Sequence, residues 1–181
     1  MSESEKVVKI CDAWGTPGAL GLAGLALASF VLAFFDLGLF GDAAVLISTS
    51  IFVGGLVQVF AGLLAFKKGN TFEMVAFTMF GMFWISFAYI LQLNAADGVG
   101  WYLLSWALLS GTMLFALLKL KAKVLSLLFI VLTIVFIVSA LNVFFGGLAF
   151  VAGILVLALG LVSFYAAMAI VLNETGYKLP L

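Results

Sequence analysis

The sequence contains no histidine, no arginine, one cysteine (Cys11) and two prolines, and only 9% of its 181 residues are charged. Each shortage excludes something. Without histidine there is no Ser-His triad, no imidazole metal site and no imidazole proton relay. A lone cysteine forms neither an internal disulfide nor a multi-cysteine metal site, so a secreted disulfide scaffold is excluded. Lysine is the only cation, so no guanidinium can clamp a carboxylate or phosphate through two parallel bonds. Eight lysines balance eight acids, which leaves no basic excess to meet nucleic-acid phosphates. No cofactor and no metal is expected on these grounds, and an enzyme is a poor fit.

What is present is apolar. Hydrophobic residues make up 66% of the chain, against about 45–50% in a soluble domain. A soluble fold of this size has too little interior to hide that surface. A membrane-spanning helix takes roughly 20 apolar residues, and six such spans are read at residues 17–40, 43–66, 72–93, 100–118, 124–144 and 147–172. The expected fold class is therefore an all-α membrane protein. A polar segment over 1–16 precedes the six-helix domain at 17–172, and a tail over 173–181 follows it. The first apolar stretch is too long for a cleaved signal peptide. Connections such as Gly41-Asp42 and Gly146-Gly147 are short, which makes consecutive helices antiparallel neighbours.

The lysines predict an orientation. Lys6 and Lys9 precede the first span, Lys67 and Lys68 follow the second, Lys119, Lys121 and Lys123 follow the fourth, and Lys178 follows the sixth. All fall on one side of a six-span protein, while Asp36, Asp42 and Asp97 fall on the other. The positive-inside rule then places both termini in the cytoplasm. Cytoplasmic-membrane localisation in a bacterium or archaeon is expected.

Small residues run along several spans. Gly18, Gly21 and Gly24 recur in the first, Gly54, Gln58, Ala61, Gly62 and Ala65 in the second, and Gly153, Gly160 and Ala167 in the sixth. In lipid such stripes let helix backbones approach closely, or leave room for a narrow passage. No charged residue lies near the middle of a span; Asp36 and Glu73 sit near ends, where water reaches them. The membrane-embedded polar groups are neutral, and most hydroxyls in such positions bond their own helix backbone. Gln58 and Asn142 differ, because an amide needs several partners. They face either water and solute or another helix. Leu132, Ser139 and Asn142 share a broad face of the fifth span, mixing a bulky apolar group with polar ones. Thr16, Pro17, Gly18, Leu20 and Gly21 form a helix start, in which Thr16 can cap and Pro17 suits the first turn. Free amides at such a start attract anions.

The run from Gly54 through Gln58, Ala61 and Gly62 to Phe66-Lys67-Lys68-Gly69-Asn70-Thr71-Phe72, and on through Ala76-Phe77-Thr78 to Phe80-Gly81-Met82-Phe83-Trp84, closely resembles the signature of the acetate uptake transporters. These are the SatP/YaaH-like acetate–succinate permeases of bacteria, archaea and fungi. Thr16 to Leu22 resembles the family's opening motif Asn-Pro-Ala-Pro-Leu-Gly-Leu, and Val171-Leu172-Asn173-Glu174 resembles its C-terminal end. The resemblance implies six-helix protomers assembled as a homo-hexamer. It also implies transport of acetate and related small carboxylates, succinate among them, together with protons. By motif position, the family's hydrophobic constriction falls on Leu25, Phe80 and Leu132, and Ser163 matches a position that helps set selectivity. Gln58, Thr78, Thr133, Asn142 and Ser163 are the candidate substrate contacts. The chain departs from the pattern with Thr16 for Asn, Ala19 for the second Pro, Ala65 for an acid and Glu73 for Gly.

Two rival readings fit the composition. A cation-free passage suits small neutral solutes such as urea or short amides. A packed bundle also suits a membrane sensor or scaffold that transports nothing.

Overall fold

A computed structural model describes residues 15–181. Lys6, Lys9, Cys11 and Asp12 lie outside the described residues. The chain forms six helices long and apolar enough to cross a membrane: α1 Pro17–Asp36, α2 Ala43–Lys67, α3 Thr71–Gln92, α4 Val99–Leu120, α5 Lys123–Phe145 and α6 Ala149–Glu174. No strand occurs among the described residues. The largest departure from the expected bounds is at the end of α1, which stops at Asp36 rather than at residue 40. Gly38, at φ +74°, turns the chain there, in a backbone region that glycine enters without steric cost.

Local chemistry explains the other ends. Pro17 opens α1, where its missing N–H is not needed. Thr16 stands at the N-cap position but caps nothing, which corrects the expectation for this residue. Its hydroxyl instead donates to Glu174 Oε1 at 2.6 Å. Asp42 accepts the Ala44 N–H at 2.8 Å and starts α2. Asn70 accepts the Glu73 N–H at 3.1 Å and starts α3.

The helices close into a ring. α1 packs against α6 and α2, α2 against α3, α4 against α5, and α5 against α6. The α3–α4 seam is bridged by large side chains. Phe83 lies 5.8 Å from Tyr102 and 5.3 Å from Trp106 between ring centroids, and Ser86 Oγ lies 2.6 Å from the Tyr102 hydroxyl. Phe80 reaches inward to within 6.0 Å of Phe129 and 6.2 Å of Phe136 on α5. Offset and edge contacts of this kind add to the stabilisation from burial alone.

α2 is not uniform. Its middle, Ser50–Leu56, is a π-helix between two α-helical pieces. Three glycines fit the neighbouring helices around this segment. A Cβ on Gly24 of α1 would stand 2.7 Å from the Val53 carbonyl oxygen, and one on Gly81 of α3 would stand 2.7 Å from that of Gly55. On Gly54 itself a Cβ would meet the Trp84 ring at 2.7 Å. The small-residue stripe of α2 therefore serves close packing against both neighbours.

The tail is tied down. Asn173 accepts the Leu179 N–H at 2.7 Å and donates to the Leu179 carbonyl at 2.9 Å, while the Tyr165 hydroxyl donates to the Pro180 carbonyl at 2.8 Å. Lys68 donates to the Gly15 carbonyl at 3.2 Å. With the Thr16–Glu174 bond, this brings the start of α1, the α2–α3 turn and the end of α6 together at one end of the bundle.

Candidate functional site

Two cavities lie on the inner side of the ring. The larger, about 310 Å³, is lined by residues that include Ser29, Leu32, Asp36, Trp84, Leu103 and Asn142. The smaller, about 50 Å³, is lined by residues that include Gly18, Gln58, Phe72, Glu73 and Ile170. Leu25, Phe80 and Leu132 line both, and no other residue does. The larger cavity extends toward the C-terminal ends of α1, α3 and α5; the smaller extends toward their N-terminal ends. A leucine from α1, a phenylalanine from α3 and a leucine from α5 thus stand between the two, and all three are buried.

The five candidate substrate contacts divide. Gln58 lines the smaller cavity and Asn142 the larger. Gln58 is buried, and its Nε2 donates to the Gly54 carbonyl at 2.8 Å, which gives that carbonyl of the π-helical stretch a donor. Asn142 accepts the Leu148 N–H through Oδ1 at 2.8 Å and so holds the turn into α6. Thr78, Thr133 and Ser163 line neither of the two cavities. Thr78 packs against Gly62. Thr133 Oγ1 lies 2.7 Å from the Phe129 carbonyl and 3.0 Å from Ser110 Oγ, joining α5 to α4. Ser163 donates to the Leu159 carbonyl at 2.7 Å within α6.

The opening motif also divides. Gly18 lines the smaller cavity, and a Cβ there would lie 3.1 Å from Glu73 Oε1. The chain's own carboxylate thus sits beside the first turn of α1, where exposed amides favour negative charge. Pro17 is buried at the helix start, Gly21 packs against the Phe77 ring, and Leu20 is exposed.

Each cavity therefore holds one half-buried carboxylate, Asp36 in the larger and Glu73 in the smaller. Among the described residues no lysine lines either cavity. The π-helix of α2 was missed by sequence reasoning; π-helical turns recur at functional sites. The one available signal was the Gly54-Gly55 pair inside an apolar span, since such pairs and π-bulges accompany irregular helix geometry. Trp84 and Ser29, which also line the larger cavity, were missed as site residues because nothing in residue type marks the direction of a side chain.

Six apolar helices closing around two internal cavities that share only Leu25, Phe80 and Leu132 in their linings define a small multi-pass membrane protein. The chain belongs to the GPR1/FUN34/yaaH family, which matches residues 6–179. It is 38% identical over 168 residues to the succinate-acetate/proton symporter SatP of Escherichia coli K12, covering 87% of this chain and 89% of that protein. It is 30% identical over 173 residues to the ammonia transport outward protein 2 of Saccharomyces cerevisiae, covering 86% of this chain and 61% of that one. Among solved structures, that of the bacterial acetate channel SatP superimposes with a TM-score of 0.85 at 35% identity, covering 90% of this chain and 95% of the channel.

Proposed function

We propose that this protein carries acetate and related small carboxylates, succinate included, across the cell membrane through the path inside its own helix ring. The observation that carries this reading is the pair of cavities sharing only Leu25, Phe80 and Leu132. Family membership and the acetate named for the SatP relatives supply the substrate class. In this reading the three shared residues form the constriction. Gln58 and Asn142 contact the solute on its two sides, and Thr78, Thr133 and Ser163 hold the helices that frame the path. Protomers assemble as a homo-hexamer, each with its own path, and both termini lie in the cytoplasm with the lysines.

The apolar constriction decides the form in which the solute passes. A bare carboxylate entering low dielectric costs on the order of 20 kcal/mol by an idealised Born estimate. Protonating it first at pH 7 costs about 3.7 kcal/mol, from a carboxyl pKa of about 4.3. Among the described residues no lysine lines either cavity to offset the first cost, so the acid crosses undissociated or accompanied by a proton.

Labelled-acetate uptake by proteoliposomes tests the substrate. Uptake above that of protein-free vesicles is expected, competed by unlabelled acetate and untouched by equimolar urea. Competition by urea, with none by acetate, would overturn the reading in favour of a neutral-solute channel.

A further inference from the structure

Glu73 sets a carboxylate into the lining of the smaller cavity. It stands in the first turn of α3, where Asn70 accepts its N–H, and it is half-buried. Its side chain reaches across to the first turn of α1. A Cβ on Gly18, which lines the same cavity, would lie 3.1 Å from Glu73 Oε1, 3.3 Å from Cδ and 3.4 Å from Oε2. The whole carboxylate therefore lies broadside against the start of α1, in room that glycine leaves there. The starts of two helices, α1 and α3, favour negative charge at this spot.

The surroundings leave that charge in force. Lys68 on the α2–α3 turn acts on Glu73. It is exposed, however, donates to the Gly15 carbonyl at 3.2 Å and does not line the cavity, so water screens its effect. Glu174 brings a second carboxylate to the same end, accepting the Thr16 hydroxyl at 2.6 Å. Apart from Glu73 and Gln58, every side chain lining the smaller cavity is apolar. At about 50 Å³ the space takes a few water-sized groups, so anything inside it stands close to Glu73. Asp36, by contrast, borders about 310 Å³, where a solute has room to keep its distance.

A carboxylic acid meets this arrangement according to its charge. At pH 7 acetate carries one negative charge and succinate two, because a carboxyl pKa lies at about 4.3. One proton neutralises acetate. The same proton leaves succinate with a charge, and Glu73 repels that charge in a space with little water to weaken the repulsion.

We propose that Glu73 is a specificity-determining residue, which favours acetate over succinate by repelling the second carboxylate in the smaller cavity. This rests on the transport reading above and ranks the two acids named in it. Glu73 acts here by charge and not by bulk, so glutamine in its place fills the same room beside Gly18 without the repulsion.

The test compares initial uptake of labelled acetate, succinate and butyrate at pH 7 by proteoliposomes holding the parent or Glu73→Gln. Butyrate has the carbon count of succinate with a single carboxyl, so it reports on size alone. The succinate-to-acetate ratio should rise at least about fivefold, the factor for one charge pair roughly 4 Å apart at the screening of bulk water. The butyrate-to-acetate ratio should stay where it was. Equal rises for succinate and butyrate place the effect in bulk and overturn the charge filter. An unchanged succinate ratio in a variant that still carries acetate overturns the filter and leaves the transport reading standing. A folded variant that carries no acid puts Glu73 in the transport step itself and also overturns the filter. If Glu73→Gln is not recovered folded, Glu73→Ala takes its place; succinate should then rise more than butyrate, and equal rises overturn the proposal. A parent that carries no acetate overturns the transport reading and the filter with it.

Discussion

Leu132 is buried against both cavities, and its side chain is the part of the proposed constriction most easily shortened without removing an aromatic ring. Leu132→Ala deletes the branched end of the chain and leaves space that the neighbours fill only in part. Uptake of a bulkier acid such as butyrate should rise relative to acetate, while total stability falls by about 2–5 kcal/mol. An unchanged ratio of butyrate to acetate uptake in a folded, active variant would remove Leu132 from the constriction. The same scale shows where residue type stops being informative. Gln58 and Asn142 were legible as unusual because an amide in an apolar span is costly, and both line cavities. Thr78, Thr133 and Ser163 are as polar by type, but the packing of their helices turns them toward backbone and neighbouring helices. Trp84 reads as one more apolar aromatic until its buried, unpartnered nitrogen is seen.

At the scale of the element, the six helices were legible because each is a long apolar run closed by glycine, asparagine or lysine. Length and hydropathy suffice for that, with no need of periodicity. The π-helix in α2 was not legible, since it changes the hydrogen-bond register without changing composition. What made it fit was glycine on the neighbours. Gly81 of α3 stands over backbone, with a Cβ there 2.7 Å from the Gly55 carbonyl oxygen and 2.9 Å from the Val59 nitrogen. Backbone cannot swing aside as a side-chain tip can. Gly81→Ala should therefore lose about 1–3 kcal/mol, the usual cost of overpacking, read as a lower midpoint of thermal unfolding in detergent. Gly111→Ala is the control, because a Cβ there would meet only Thr133 Cγ2 at an ordinary 3.6 Å. Equal midpoints for Gly81→Ala and the parent would show that α3 can shift away from the π-helix at no cost.

For the molecule as a whole, the two ends differ in charge and the middle has almost none. Among the described residues the lysines flank the ends of α2, α4 and α6, on the side where Lys68 meets Gly15 and Thr16 meets Glu174; their pattern was readable from the chain alone. That Leu25, Phe80 and Leu132 belong together came only from the family resemblance and not from composition or spacing, because which residues stand between the two cavities depends on how α1, α3 and α5 rotate about their axes in the ring. Orientation is checked by placing single cysteines in a Cys11→Ser background. Asp97→Cys should react with an impermeant maleimide on intact cells and Lys178→Cys only after permeabilisation; the reverse pattern would invert the topology. The transported form is checked with a membrane potential. A charge crossing 100 mV is worth about 2.3 kcal/mol, so an inside-negative potential opposes entry of the anion and leaves the neutral acid unaffected. Lowering the external pH from 7 to 6 raises the undissociated fraction about tenfold, since both values lie well above a carboxyl pKa of about 4.3. Flux above that of protein-free vesicles should follow the external pH and ignore a valinomycin-set potassium potential. Flux that falls under the inside-negative potential and is indifferent to pH would mean that the anion itself passes. The apolar junction of the two cavities would then have to open enough to keep the carboxylate hydrated.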